Sequence, residues 1–186
     1  MSDAPYLEVP TTAGTVGGII HPRTGVRTWR GVPYGATTAG EHRFRVPRPA
    51  EPWREVRDAS RFAPPAMQGV FSWRDAVYGT EECLTLDIVR PDTDDELPVV
   101  VYFHGGTFVT GASNEKVLRG HFLSKATDVV YVSVNFRLGV LGYLDFRSIG
   151  DDCVGALARP GVDVGAPASR RHGDVAALHP GGPACR

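Results

Sequence analysis

The residues in this chain best suited to chemistry are His104-Gly105-Gly106-Thr107-Phe108, which directly follow the apolar run Val99-Val100-Val101-Tyr102-Phe103. Two adjacent glycines leave the backbone free to turn and its amide groups uncovered by side chains. Fixed N–H donors aimed at a point where negative charge develops are what an oxyanion hole requires. A strand followed by Gly-Gly is also an ordinary tight turn, so the surrounding chain has to decide between the two.

The attacking group is harder to find. A nucleophilic serine presented on a sharp strand-to-helix turn reads G-x-S-x-G, and no serine of this chain has glycine at both −2 and +2. Ser113, in Gly111-Ala112-Ser113-Asn114-Glu115, comes nearest, but it follows the glycine loop rather than a strand of its own. Ser133 falls inside an apolar run and reads as structural. His104 is expected to pack and hydrogen-bond its own loop, and His21, His42 and His121 to be solvated residues of turns or a helix. His172 and His179 come late in the chain, with no placed serine or acid before them. Cys83, Cys153 and Cys185 are odd in number and unpatterned in spacing, which argues against a disulfide framework or a zinc site. No metal or cofactor is expected.

Several elements must hold the glycine loop in place. Pro98 and the glycines bound the run 99–103, which reads as a buried strand. Val129-Val130-Tyr131-Val132-Ser133-Val134 is nearly continuous apolar, the pattern of a strand buried on both faces in a parallel sheet. Between them Val117, Leu118, Phe122, Leu123 and Ala126 fit one face of a helix over 114–126, making a βαβ unit of 98–134. Leu84-Thr85-Leu86-Asp87-Ile88-Val89 alternates apolar with polar, predicting a strand with one buried face. It should form a hairpin, 84–90 with 98–104, across the acidic turn 92–96. Residues 14–35 predict another hairpin with a longer loop at 21–25. Residues 33–68 predict a winding connection pinned by Phe44, Trp53 and Phe62. The fold class is α/β.

At 186 residues, 42% hydrophobic and 22% charged, the chain has the composition of a soluble globular protein. A net charge of −1 gives no reason to expect nucleic acid or an anionic membrane as partner. The N-terminus shows no basic segment followed by an apolar core, and no run reaches the length of a membrane span, so a cytoplasmic location is expected. From Gly150 the character changes: more than half of residues 150–186 are Gly, Ala, Arg or Pro, and Phe, Tyr and Trp are absent.

Four segments, in order and in register, resemble the type-B carboxylesterases, the group of bacterial para-nitrobenzyl esterases and cholinesterases. They are Trp29-Arg30-Gly31-Val32-Pro33-Tyr34-Gly35 with Arg43-Phe44-Arg45; Glu81-Glu82-Cys83-Leu84-Thr85-Leu86-Asp87; His104-Gly105-Gly106-Thr107-Phe108; and Ser133-Val134-Asn135-Phe136-Arg137-Leu138-Gly139 through Leu144. The resemblance implies the N-terminal part of an α/β-hydrolase fold: an N-terminal β-hairpin plus the first strands of the central mixed sheet, truncated before the nucleophile elbow. Residues 1–149 would be a partial hydrolase domain, and 150–186 a disordered or frameshift-derived tail. Strand 129–134 is then expected to lack its next partner.

The resemblance also implies residue roles. The oxyanion site would be Gly105, Gly106 and Thr107, with the N–H groups of Gly106 and Thr107 as donors and Gly105 as the turning residue. Glu81 would pair with Arg43 in a structural role, and Cys83 would be a free, buried thiol because Ala66 stands where many members have the second cysteine. Arg137 is expected to lack the acid that would match it. The implied partner is a small-molecule carboxylic ester, with no oligomeric state specified. The implied activity is carboxylic-ester hydrolysis through a serine ester, expected to be inactive in this chain. A non-catalytic esterase-like binding module or a nonfunctional gene fragment is the alternative.

Overall fold

The computed structural model describes residues 7–69, 76–145, 148, 162–164 and 178–180. Most of the 150–186 tail, with Cys153, His172 and Cys185, lies outside the described residues. In chain order the strands are β1 (Leu7–Pro10), β2 (Thr15–Ile20), β3 (Arg27–Pro33), β4 (Arg57–Asp58), β5 (Gln68–Gly69), β6 (Val77–Tyr78), β7 (Thr85–Arg90) and β8 (Val99–Phe103). Helix α1 (His121–Thr127) leads to β9 (Val130–Val134), and helix α2 (Gly139–Tyr143) follows. Strands β10 (Val162–Val164) and β11 (Leu178–Pro180) pair antiparallel in a small separate sheet.

Seven strands form one mixed sheet in the order β1-β2-β3-β7-β9-β8, with β4 alongside β2. The β2–β3 hairpin closes through His21 N–H to Val26 O at 2.8 Å. Trp29 fills the sheet's first core cluster with Val9, Val16, Leu86, Ile88, Val132 and Val134. Its ring lies so close to β2 that a Cβ on Gly18 would sit 2.6 Å from it, and Trp29 Nε1 donates to Leu7 O at 2.9 Å. Trp53 packs against the edge of the same cluster and donates to Thr15 O, as a pinning aromatic should.

Strand β9 pairs parallel with β8 across the α1 crossover, so 98–134 is a βαβ unit. The hairpin expected between 84–90 and 98–104 does not form: β9 lies between β7 and β8, antiparallel to the first and parallel to the second. The acidic connection makes this possible. Arg27 on β3 binds Asp92 and Asp94, each at 2.6 Å, and Arg90 Nη2 donates to Thr93 O and Asp95 O. Pinned towards β3, the connection spans a gap one strand wide, and β9, with Tyr131, Val132 and Val134 buried, fills it. β9 therefore has partners on both sides, contrary to expectation, and β8 is the last strand of the sheet among the described residues. Strand β7 departs from the pattern as well, because its polar face is also covered and Asp87 is buried.

The crossover differs most from the sequence pattern. Only a 3-10 turn (Lys116–Leu118) and the short helix α1 form, and Val117, Phe122 and Leu123 point to solvent. The buried residues of α1 are instead His121 and Ser124. Gly120 at left-handed φ 71° breaks the helix before His121 and rotates the expected apolar face outward. The ring of Tyr131 packs where a Cβ on Gly120 would be.

His121, expected at the surface, stacks on His21 with ring centroids 4.2 Å apart, and Lys125 Nζ donates to Thr24 O at 2.8 Å. These contacts clasp the β2–β3 turn to the crossover. Burial first, then the charges of His21, Arg30 and Arg119, lower the His121 pKa from 6.5 to about 4. Burial, Arg30, Arg23 and Arg119 lower that of His21. A depressed histidine pKa stabilises the fold fully above the ordinary value and is lost as pH falls towards the folded one. Stability should therefore decline between pH 6.5 and about 4, by roughly 1–2 kcal/mol after allowance for solvent screening. Thermal melts across that range should show a flatter slope in His121→Phe than in the parent chain.

Candidate functional site

The glycine loop leaves the end of β8 and returns towards β9 through residues 104–113. His104 is buried at 6% exposure, its Nδ1 lies 2.9 Å from Gly105 O, and its ring stacks on Phe136 at 4.4 Å. Gly106 has φ 120°, and a Cβ there would lie 1.9 Å from Thr110 O, so no side chain fits. Its carbonyl accepts from Val109 N–H and Thr110 N–H, both at 3.0 Å. Thr107 (φ 52°) and Phe108 (φ 63°) are also left-handed, a conformation that costs a non-glycine residue of order 1 kcal/mol or more. Phe108 O accepts from Gly139 N–H at 2.7 Å, and the Phe108 ring contacts Tyr143. Among the described residues, the N–H groups of Gly106 and Thr107 have no acceptor. Nothing lies within 4 Å of the Cβ position of Gly105.

Gln68, which in the sequence only marks the position two residues after Ala66, has a structural role in the loop. It is buried, and its amide grips Gly111 from both sides: Nε2 donates to Gly111 O at 2.9 Å and Oε1 accepts from Gly111 N–H at 2.8 Å. A side-chain amide thus pairs with the loop as a neighbouring strand would. The short span 68–69 carried no periodic signal that could have revealed this.

Beneath the loop lies a buried polar network. Ser113 Oγ donates to Asp87 Oδ2 at 2.6 Å, and Asp87 Oδ1 accepts from Gly31 N–H at 2.8 Å. Ser113 N–H donates to Asn135 Oδ1, Asn135 Nδ2 to Thr85 Oγ1, and Ser133 Oγ to Ser113 O. Burial raises the Asp87 pKa, against the hydrogen bonds from Ser113 and Gly31 that lower it. Ser113 is 1% exposed and committed to Asp87, and among the described residues no histidine is bonded to it. It is a structural hydroxyl, as is that of Ser133.

The remaining sequence-derived positions lie away from the loop. Arg43 Nε and Nη2 donate to the two carboxylate oxygens of Glu81 at 2.7 and 2.5 Å. Cys83 is a buried free thiol whose pKa burial pushes up to about 12, so it stays protonated. Arg137 is 4% exposed and donates from Nη1 to Arg45 O at 2.9 Å, while its buried Nε and Nη2 have no partner among the described residues. His104 and Thr107 share the loop; Arg43, Glu81 and Cys83 line a different cavity, with Arg137 and Leu138. Among the described residues no group of His, Cys, Asp and Glu is arranged to hold a metal ion, and no helix is long and apolar enough to cross a membrane.

A mixed sheet with a βαβ unit and a glycine loop at the end of its parallel strand defines the N-terminal part of an α/β-hydrolase fold. The sequence profile of the carboxylesterase family matches residues 5–156, and the chain belongs to that family. It is 34% identical to para-nitrobenzyl esterase of Bacillus subtilis (strain 168) over 148 residues, covering 77% of this chain and 30% of that protein. It is 38% identical to phenmedipham hydrolase of Pseudarthrobacter oxydans over 152 residues, with the same coverage. A solved para-nitrobenzyl esterase structure superimposes with a TM-score of 0.72 at 34% identity, covering 80% of this chain and 30% of that one. The chain thus spans about 30% of the length of these relatives.

Two substitutions test how the site is held. Gln68→Ala should unmask both main-chain groups of Gly111, destabilising the chain by about 1–3 kcal/mol. Amide exchange should show the Gly111 N–H losing its protection while β9 keeps its own. Arg137→Met removes a buried cation, two of whose nitrogens have no partner among the described residues. Because an apolar replacement of a poorly paired buried charge is often neutral or stabilising, its melting temperature should equal or exceed the parent's.

Proposed function

We propose that the loop His104–Phe108 is the charge-stabilising half of a carboxylic-ester hydrolase site. The N–H groups of Gly106 and Thr107 are the donors to the oxyanion of an acyl-transfer intermediate, and Gly105 is the turn that leaves them open. The observation that carries this reading is the pair of adjacent, acceptor-free N–H groups beside an uncovered glycine. Similarity to a para-nitrobenzyl esterase supports a small-molecule carboxylic ester as the substrate class. The Thr107 side chain stands beside the donors and narrows the space for the ester's acyl or alkoxy group. The Arg43–Glu81 pair plays a supporting role, tying the N-terminal segment to the start of β7.

The attacking group is not among the serines of this chain. None has the required glycines, and the nearest, Ser113, is buried and bonded to Asp87. By itself the chain therefore leaves ester hydrolysis at background. That same burial of Ser113 favours, as a second reading, a module that binds esters without turning them over.

Titration of the isotope-labelled chain with methylphosphonate, an anionic tetrahedral mimic, tests the donors. The amide signals of Gly106 and Thr107 should shift saturably, whereas shifts confined to other residues would overturn the assignment. Hydrolysis of p-nitrophenyl acetate should match the protein-free rate. Turnover blocked by an organophosphonate, with the label recovered on a serine of this chain, would refute the missing nucleophile.

A further inference from the structure

Gln68 reaches the glycine loop from outside it, and its own segment is held first. Ala66 is buried in the second core cluster with Cys83, Leu84 and Leu138. Met67 N–H donates to Thr80 O at 3.0 Å, and Gln68 pairs with Tyr78 across β5 and β6. Both hydrogens of the side-chain amide are committed, because Nε2 donates to Ala66 O at 3.0 Å as well as to Gly111 O. The bond from Gly111 N–H to Oε1 then fixes which way round the amide sits, since a turned amide would set donor against donor. Gly111 is the foot of the loop. A Cβ there (φ 122°) would collide with His104 Nδ1 and Gly105 O, so its backbone lies directly against the first two residues of the loop. Between 105 and 111 the chain closes on itself, with Gly106 O accepting from Val109 N–H and Thr110 N–H.

We propose that Gln68 is a positioning residue for the anion donors, a role that rests on the loop's being an oxyanion site. By gripping Gly111 it sets where the Gly106 and Thr107 N–H groups point. Gly111 has no main-chain partner among the described residues, so the amide is what fixes its place against His104 and Gly105. The donors follow one and two residues after Gly105, in a turn that Gly106 O closes. Every link from the amide to the donors lies between residues 66 and 111. A main-chain N–H stabilises an anion only while it points at the charge. A misplacement of about 1 Å at such a site can cost about a hundredfold. Gln68 itself touches no ligand; it acts through Gly111.

Titration of the full isotope-labelled chain and its variants with methylphosphonate tests the role. Gln68→Met keeps the length and bulk of the side chain and removes both bonds to Gly111. It should weaken saturable binding at Gly106 and Thr107 at least about tenfold, while amide exchange across β7 and β9 stays that of the parent. Gln68→Glu decides the matter if the methionine variant fails to fold. As a neutral acid it restores the grip, its O–H donating to Gly111 O and its C=O accepting from Gly111 N–H; ionised, it has no donor. Its affinity should match the parent's at acid pH and fall below the parent's at the same pH once the carboxyl ionises. A residue that merely held the fold together would lower the melting temperature and leave the affinity of the folded chain alone. Parent-like affinity in folded Gln68→Met, or in Gln68→Glu at every pH, overturns the proposal. If the parent binds no methylphosphonate at these amides, the oxyanion reading fails separately, and the ligand-free Gly106 and Thr107 amide signals of the variants decide the positioning role. Displaced signals uphold it, and unchanged ones overturn it.

Discussion

One buried carboxylate holds the structure in register. Asp87 lies near the centre of the sheet and accepts from Gly31 on the β3 bulge and from Ser113 after the glycine loop. It thereby joins the N-terminal hairpin, strand β7 and the β8–β9 crossover at a single residue. Burial alone would favour the neutral acid, and the two donors counter that preference. The β3–β7 register shifts between Trp29 and Val32, which frees the Gly31 N–H to leave the ladder and reach the carboxylate. Without the bulge, Asp87 would face a continuous backbone and have one donor fewer. A buried polar group left unpaired costs about 1–3 kcal/mol, so each member of the network depends on the others being in place.

The glycine loop depends on that register. Its entry is fixed by His104 stacked on Phe136, its exit by Gln68 gripping Gly111, and the next turn by Ser113 bound to Asp87. Three anchors within ten residues hold Thr107 and Phe108 in a backbone conformation they would otherwise avoid. A loop fixed in this way loses little freedom when an anion arrives, and preorganisation of that kind makes main-chain donors effective.

Much of this was legible in the sequence wherever side-chain periodicity and secondary structure agree. The hairpin 14–35, the strand 129–134, the βαβ connection and the buried free Cys83 follow from local patterns and family motifs. The pairing of β7 with β8 was misread because neighbourhood along the chain suggested a hairpin, whereas the acidic connection is tethered by Arg27 and leaves room for β9. The α1 face was misread because a helical wheel assumes a continuous helix, and Gly120 interrupts it. Asp87 reads as the polar side of a half-exposed strand, and Ser133 as a structural residue inside a buried one. Their partners, Gly31 and Ser113, lie far away in sequence and carry no periodic trace. The structural role of Gln68 was invisible for the same reason.

The two neighbouring donor positions differ in what substitution they can accept. At position 106 the carbonyl of Thr110 excludes every side chain, so the geometry of the turn is closed to change. At position 107 the side chain is exposed, and any residue but proline supplies the same N–H. In the proposed role, the hydrogen bonds to a developing charge and the shape of the space around it are therefore set by different residues. Drift at position 107 can remodel which esters fit while leaving the anion's donors intact, so substrate choice and charge stabilisation are free to evolve separately.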